Sequence, residues 1–74
     1  MSDVIVVFIM AASDDEAVTI SRALVERKLA ACANILLGVR SLFRWKGEMC
    51  DEREVLVIAK SVRERFAEIV RVVK

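Results

Sequence analysis

The sequence contains no histidine, no proline and no tyrosine, and only two glycines and one tryptophan. Without histidine the chain lacks the commonest metal ligand and the commonest general base. Ser-His-Asp and Cys-His catalysis are excluded outright, and no other pairing of a base with a nucleophile can be assembled, so the chain reads as a non-enzyme. With two glycines there is no glycine-rich phosphate loop. Nor is there a long apolar span: the longest run, Val4 to Ala12, is far short of the roughly 20 residues a membrane-crossing helix needs. A basic stripe is also missing. Twelve basic and eleven acidic residues are mixed along the chain and leave a net charge of +1, which argues against nucleic acid and against an anionic membrane as partners.

What is present is apolar. Hydrophobic residues make up 57% of 74 residues. One domain over residues 1–74 is expected, and a core this small stabilises a fold by only about 3–5 kcal/mol. The surplus apolar side chains therefore call for oligomerisation, or for cover by a part of the protein not contained in these residues. Met1-Ser2-Asp3 brings no basic region ahead of the apolar run, so a secretory signal is not expected. Two cysteines without an export signal read as free thiols in a reducing cytoplasm.

Val4 to Met10, "VIVVFIM", is β-branched and aromatic with no polar alternation, the composition of a strand buried on both faces and central in its sheet. Ser13 with Glu16 three residues on forms a capping box, from which a helix should run to about Ala30, with Ala17, Ile20 and Leu24 on its apolar edge. From Ala31 the period becomes two: Val39, Ser41, Phe43 and Trp45 share one face, Arg40, Leu42 and Arg44 the other. Lys46-Gly47 is a hairpin turn. A third strand starts between Glu48 and Glu54, with an irregularity at Asp51–Glu54, and runs through "EVLVIAK" as another central strand. Ser61 and Glu64 read as a second capping box ahead of an amphipathic helix carrying Val62, Phe66, Ile69, Val70 and Val73. The order β-α-β-β-α is an α+β, ferredoxin-like split β-α-β fold lacking its last strand. Strand one would then stand at an open edge despite its central composition.

Three constellations carry possible chemistry. Cys32, between alanines at the helix-to-strand junction, is either a soft-metal ligand or a small buried hydrophobe. Cys50, beside Met49, Asp51 and Glu52, is either part of a metal site or a surface hairpin residue. Arg44, Trp45 and Lys60 either line an anion cleft between subunits or anchor an interface. The loop before the first helix holds no anion, because Asp14, Asp15 and Glu16 already occupy the positive end of that helix. The loop after strand one lacks both the Met-x-Cys-x-x-Cys of heavy-metal chaperones and the Arg of acylphosphatase-like enzymes. "EVLVIAK" lacks the aromatics of an RNA-recognition module.

"SRALVERKLAACANILLGVRSLFRWKGE", followed by "EVLVIAKS" and "RERFAEIVRVVK", resembles the CutA divalent-cation tolerance family from strand one to Lys74. "KLAACANI" and "SLFRWKGE" are the specific parts. The resemblance implies a compact homotrimer of ferredoxin-like subunits whose long second and third strands pack across subunits. It implies binding of copper or another divalent cation in metal tolerance or response, with self as the partner. It also implies a relation to the trimeric PII signal proteins, and hence an alternative role as a sensor of a small anionic ligand; a purely structural assembly unit is the third reading. Family members continue past this point with a His-containing segment, a further strand and a final helix, so residues 1–74 form a C-terminally incomplete domain of this kind. Among the family's proposed metal positions, Cys32 is the one that carries over; Ile9 stands where some members have a cysteine.

Overall fold

The computed structural model describes residues 3–74; Met1 and Ser2, part of the stretch read above for a signal, lie outside the described residues. Strand β1 (Val4–Ala11) is followed by helix α1 (Asp14–Glu26), the long strands β2 (Cys32–Trp45) and β3 (Glu48–Val62), a 3-10 turn (Arg63–Arg65) and helix α2 (Phe66–Val73). The three strands form one antiparallel sheet in the order β1-β3-β2. This is the expected β-α-β-β-α arrangement, with β3 in the middle.

Helix α1 starts as its sequence dictates: the Glu16 amide donates to Ser13 Oγ at 3.1 Å, and three acidic residues follow the cap. It stops four residues earlier than its apolar pattern suggested. Lys28 turns into the left-handed region at φ 60°, and the amides of Leu29 and Ala30 both donate back to Leu24 O. That closure ends the helix and drops Leu29 and Ala30 into the core as loop residues. Ala17 and Leu24 on α1 and Ile69 on α2 pack over Ile9, Ala11, Val55, Val57 and Ala59 of the sheet.

The capping box read at Ser61 does not form. Ser61 is the penultimate residue of β3, and its hydroxyl donates across the core to Leu29 O. Helix α2 instead grows out of the 3-10 turn with Arg65 at its N-cap and no side-chain cap. The β2–β3 turn is as expected, Lys46 and Gly47 both taking positive φ (52° and 79°), as a two-residue type I′ connection requires. The irregularity expected at Asp51–Glu54 does not form there, where pairing is regular; it lies in β2 at Leu37-Gly38, where the register slips between Leu36, opposite Leu56, and Val39, opposite Glu54. Gly38, at φ 74°, supplies the bend.

Strand β1 is the largest departure from its composition. Its pairing with β3 runs unbroken from Val4 opposite Val62 to Ala11 opposite Val55, and its other edge is unpaired among the described residues. Only one of its faces meets the helices. Ile9 and Ala11 are buried, whereas Val4 and Phe8 are 78% and 68% exposed.

Candidate functional site

Side chains of paired strand residues point to the same face, so the register defines the sheet surface turned away from the helices. Three cross-sheet rows build it: Val6–Lys60–Cys32, Phe8–Ile58–Asn34 and Met10–Leu56–Leu36. The bulge at Gly38 switches the parity of β2, so Val39, Ser41, Phe43 and Trp45 continue this face along the hairpin arm. Helices cover only the other face. Val6, Phe8, Met10, Leu36 and Trp45 are left exposed, an apolar field well beyond the scattered hydrophobics normal on a monomer surface.

Cys32 lies at one end of this field. The chain reaches it by the α1 closure, after which the Ala31 amide donates to Lys60 O at 2.8 Å and zips β2 onto β3. Its thiol is half-buried, free, and the direct cross-strand neighbour of Lys60. The second thiol, Cys50, sits opposite Phe43, ten positions along β3 from Lys60, or roughly 33 Å at strand rise. Because side chains alternate, Met49 and Asp51 project to the face opposite Cys50, and Asp51 is engaged elsewhere. Of Met49, Asp51 and Glu52, only Glu52 shares the face of Cys50, so the grouping is not gathered into a metal site. Among the described residues no three His, Cys, Asp or Glu side chains are placed to hold a metal ion. Within one chain, then, Cys32 is a lone soft donor, and any metal held through it must take its remaining ligands from elsewhere.

Arg44 and Trp45 stand at the far end of the hairpin arm, where Trp45 opposes Glu48 and lies 5.9 Å below the Lys46 ammonium. Lys60 is twelve positions from Glu48 along β3, roughly 40 Å away. One chain does not bring these three together, so a cleft using all of them draws on two chains. The arm itself is held by a bidentate pair: Arg40 Nε to Asp51 Oδ1 at 2.9 Å and Arg40 Nη2 to Asp51 Oδ2 at 2.6 Å. The guanidinium holds the Asp51 carboxyl below its ordinary value, and the carboxylate raises that of Arg40.

Two features escaped the sequence. The first is the open face of β1, hidden because an apolar run does not say which of its sides is covered. The second is a groove beside the end of β3 lined by Lys28, Lys60 and Arg65. Its signal was legible only in part: a lysine stands where a helix terminus ordinarily takes glycine.

The CutA1 divalent ion tolerance protein family model matches residues 5–74. The chain belongs to this family. It is 42% identical over 69 residues to the divalent-cation tolerance protein CutA of Thermus thermophilus, a match covering 93% of this chain and 67% of that one. Among solved structures, the periplasmic divalent cation tolerance protein CutA of Archaeoglobus fulgidus superposes with a TM-score of 0.87 at 39% identity, covering 100% of this chain and 70% of that chain. CutA1 from Oryza sativa reaches 0.93 at 27% identity, covering 99% and 68%. The chain thus spans about two thirds of the length of these CutA proteins, and 61% of the length of the Archaeoglobus sequence it matches.

Proposed function

We propose that this chain acts as a CutA-like homotrimeric divalent-cation binding protein in metal tolerance or response, with copper as the ion and without catalysis. The observation that supports this reading is the placement of Cys32 at the border of an apolar sheet face that one chain leaves uncovered. Closing three copies over that face removes Val6, Phe8, Met10 and Leu36 from water, the main driving force for assembly. It also supplies what one chain lacks, further thiolates near a shared axis. Soft thiolates favour copper and zinc over hard ions such as magnesium. Two free thiols suit a reducing compartment, so the cytoplasm is the proposed location.

The test pairs native mass spectrometry with copper titration. A mass of three 8.3 kDa chains, with copper retained by the wild type and lost in Cys32→Ala, is the expected result. A monomer, or equal copper retention in Cys32→Ala, overturns the assembly or the ligand assignment respectively.

A second reading, a PII-like sensor of a small anion, draws on Arg44 and Trp45 at the arm tip and Lys60 of a neighbouring copy. A panel of nucleotides and metabolites read by Trp45 fluorescence tests it; a flat response removes it. If neither copper nor an anion binds, the chain is a structural assembly unit.

A further inference from the structure

The groove beside the end of β3 is open to solvent and has a volume of about 520 Å³, within the range of small-ligand sites. One part of its lining is apolar, with Val4, Val25 and Val62 from three different elements. Its charged residues are all cationic: Lys28 from the loop after α1, Lys60 from β3 and Arg65 from the 3-10 turn, with no carboxylate lining it. Two arginines at this end of the fold have carboxylate partners. Arg63 is paired with Asp3 at 3.1 Å, and Arg65 itself reaches Glu68 at 3.7 Å. Lys28 and Lys60 have no ion-pair partner among the described residues.

The backbone at Lys28 fixes where this lysine leaves the helix. The residue follows the C-cap of α1 and takes φ 60°, closing the helix through its amide to Val25 O at 3.1 Å. Glycine is the ordinary occupant of such a position, because a Cβ there crowds the backbone. A lysine held at that steric cost keeps a cation at the negative end of α1 and also lines a groove with two other cationic residues. Lys46 takes a similar φ of 52° in the hairpin turn, so the backbone alone does not mark a site; what sets Lys28 apart is the groove it lines with Lys60 and Arg65.

We propose that this groove binds an organic phosphate monoester, its phosphate held by Lys28, Lys60 and Arg65 and its apolar body against Val4, Val25 and Val62. Charge selects the class. With Arg65 part-compensated by Glu68, two uncompensated ammonium groups match a dianion better than a single carboxylate, and the apolar wall excludes bare phosphate as the best-fitting ligand. The site is independent of the thiol: Lys60 neighbours Cys32 in the sheet, but Cys32 does not line the groove.

The experiment is a calorimetric titration of the assembled protein with phenyl phosphate, inorganic phosphate and phenol, repeated on variants. Phenyl phosphate is expected to bind more tightly than either of its halves. Lys60→Gln and Lys28→Gln should each weaken it about tenfold, the worth of one charge-assisted hydrogen bond. Lys28→Gly is the decisive variant, because it relieves the left-handed residue. It should raise the melting temperature while weakening phenyl phosphate to the same degree as Lys28→Gln. Cys32→Ala should leave this binding intact, whatever it does to copper. A Lys28→Gly protein that melts higher and binds phenyl phosphate unchanged overturns the proposal, since Lys28 is then only an ill-suited cap. Inorganic phosphate binding as tightly as phenyl phosphate, with no loss in either lysine variant, overturns it too.

Discussion

Cys32 and Lys60 are direct cross-strand partners on the uncovered face of the sheet, at the border of its apolar field. The pairing makes the thiol a reporter of assembly. In separated chains the half-buried Cys32 and Cys50 should react with a bulky maleimide at rates within a few-fold of each other. In the assembled protein both thiols should be slowed by an order of magnitude or more, because Cys50, opposite Phe43, lies on the same face as Cys32. Peptide mapping of labelled protein at two concentrations checks this. Labelling rates that do not fall at high concentration would show that the face stays open.

Two buried serines make opposite use of their hydroxyls. Ser61 and Ser21 are each 7% exposed. Ser61 donates to Leu29 O, tying β3 to the loop that closes α1, whereas the buried Ser21 hydroxyl has no partner. Ser61→Ala leaves a buried carbonyl unsatisfied and should cost about 1–3 kcal/mol. Ser21→Ala removes an unpaired polar atom and should be neutral or stabilising by up to about 1 kcal/mol. Urea unfolding of the two variants side by side distinguishes them; equal losses would contradict this assignment of roles.

That contrast also marks what can be read from the chain without coordinates. Local rules acting over three or four residues came through intact. The Ser13–Glu16 cap, the Lys46-Gly47 turn and the alternation of Val39, Ser41, Phe43 and Trp45 each depend only on neighbours in sequence. Ser61 obeyed the same local rule as Ser13, followed by an acid three residues on, yet its hydroxyl was claimed by Leu29 O, 32 residues away. Leu29 and Ala30 continue a helical period, but burial beneath β3 was satisfied better from a loop. The same limit governs the site. The CutA-like motif around Cys32 was visible, whereas the separation of Lys60 from Trp45, and the convergence of Lys28, Lys60 and Arg65, follow from register and chain path alone.

The Arg40–Asp51 pair gives the hairpin arm a defined response to acid. Arg40 holds the Asp51 carboxyl below its ordinary value through their hydrogen bonds, so the folded arm binds that proton less readily than the unfolded chain. The stabilisation it brings is therefore present above the ordinary carboxyl pKa and is lost as pH falls through the lowered folded value. Both side chains are well exposed, so the effect should be modest and screened by salt. Carbon-detected titration of Asp51 should show a midpoint below that of a free aspartate, returning toward it in Arg40→Gln. A midpoint unmoved by that substitution would remove the pair as the cause.

The apolar field itself can be tested by a charge that the chain's own core does not feel. Phe8 lies in the middle row of the open face, between the Met10 and Val6 rows and opposite Ile58, and is 68% exposed in the single chain. A carboxylate there meets water in the monomer, so Phe8→Asp should change monomer stability by little, within about 1 kcal/mol for an exposed site. In a closed assembly the same carboxylate is buried without a partner and faces its symmetry mates. That costs several kcal/mol and should shift the protein to monomers. Ile9→Asp is the matched control. Its side chain projects to the helix side and is buried, so it should unfold the chain whatever the assembly state. Sedimentation velocity and circular dichroism on the pair separate these effects. A Phe8→Asp protein that stays assembled would show that the subunits meet through another surface.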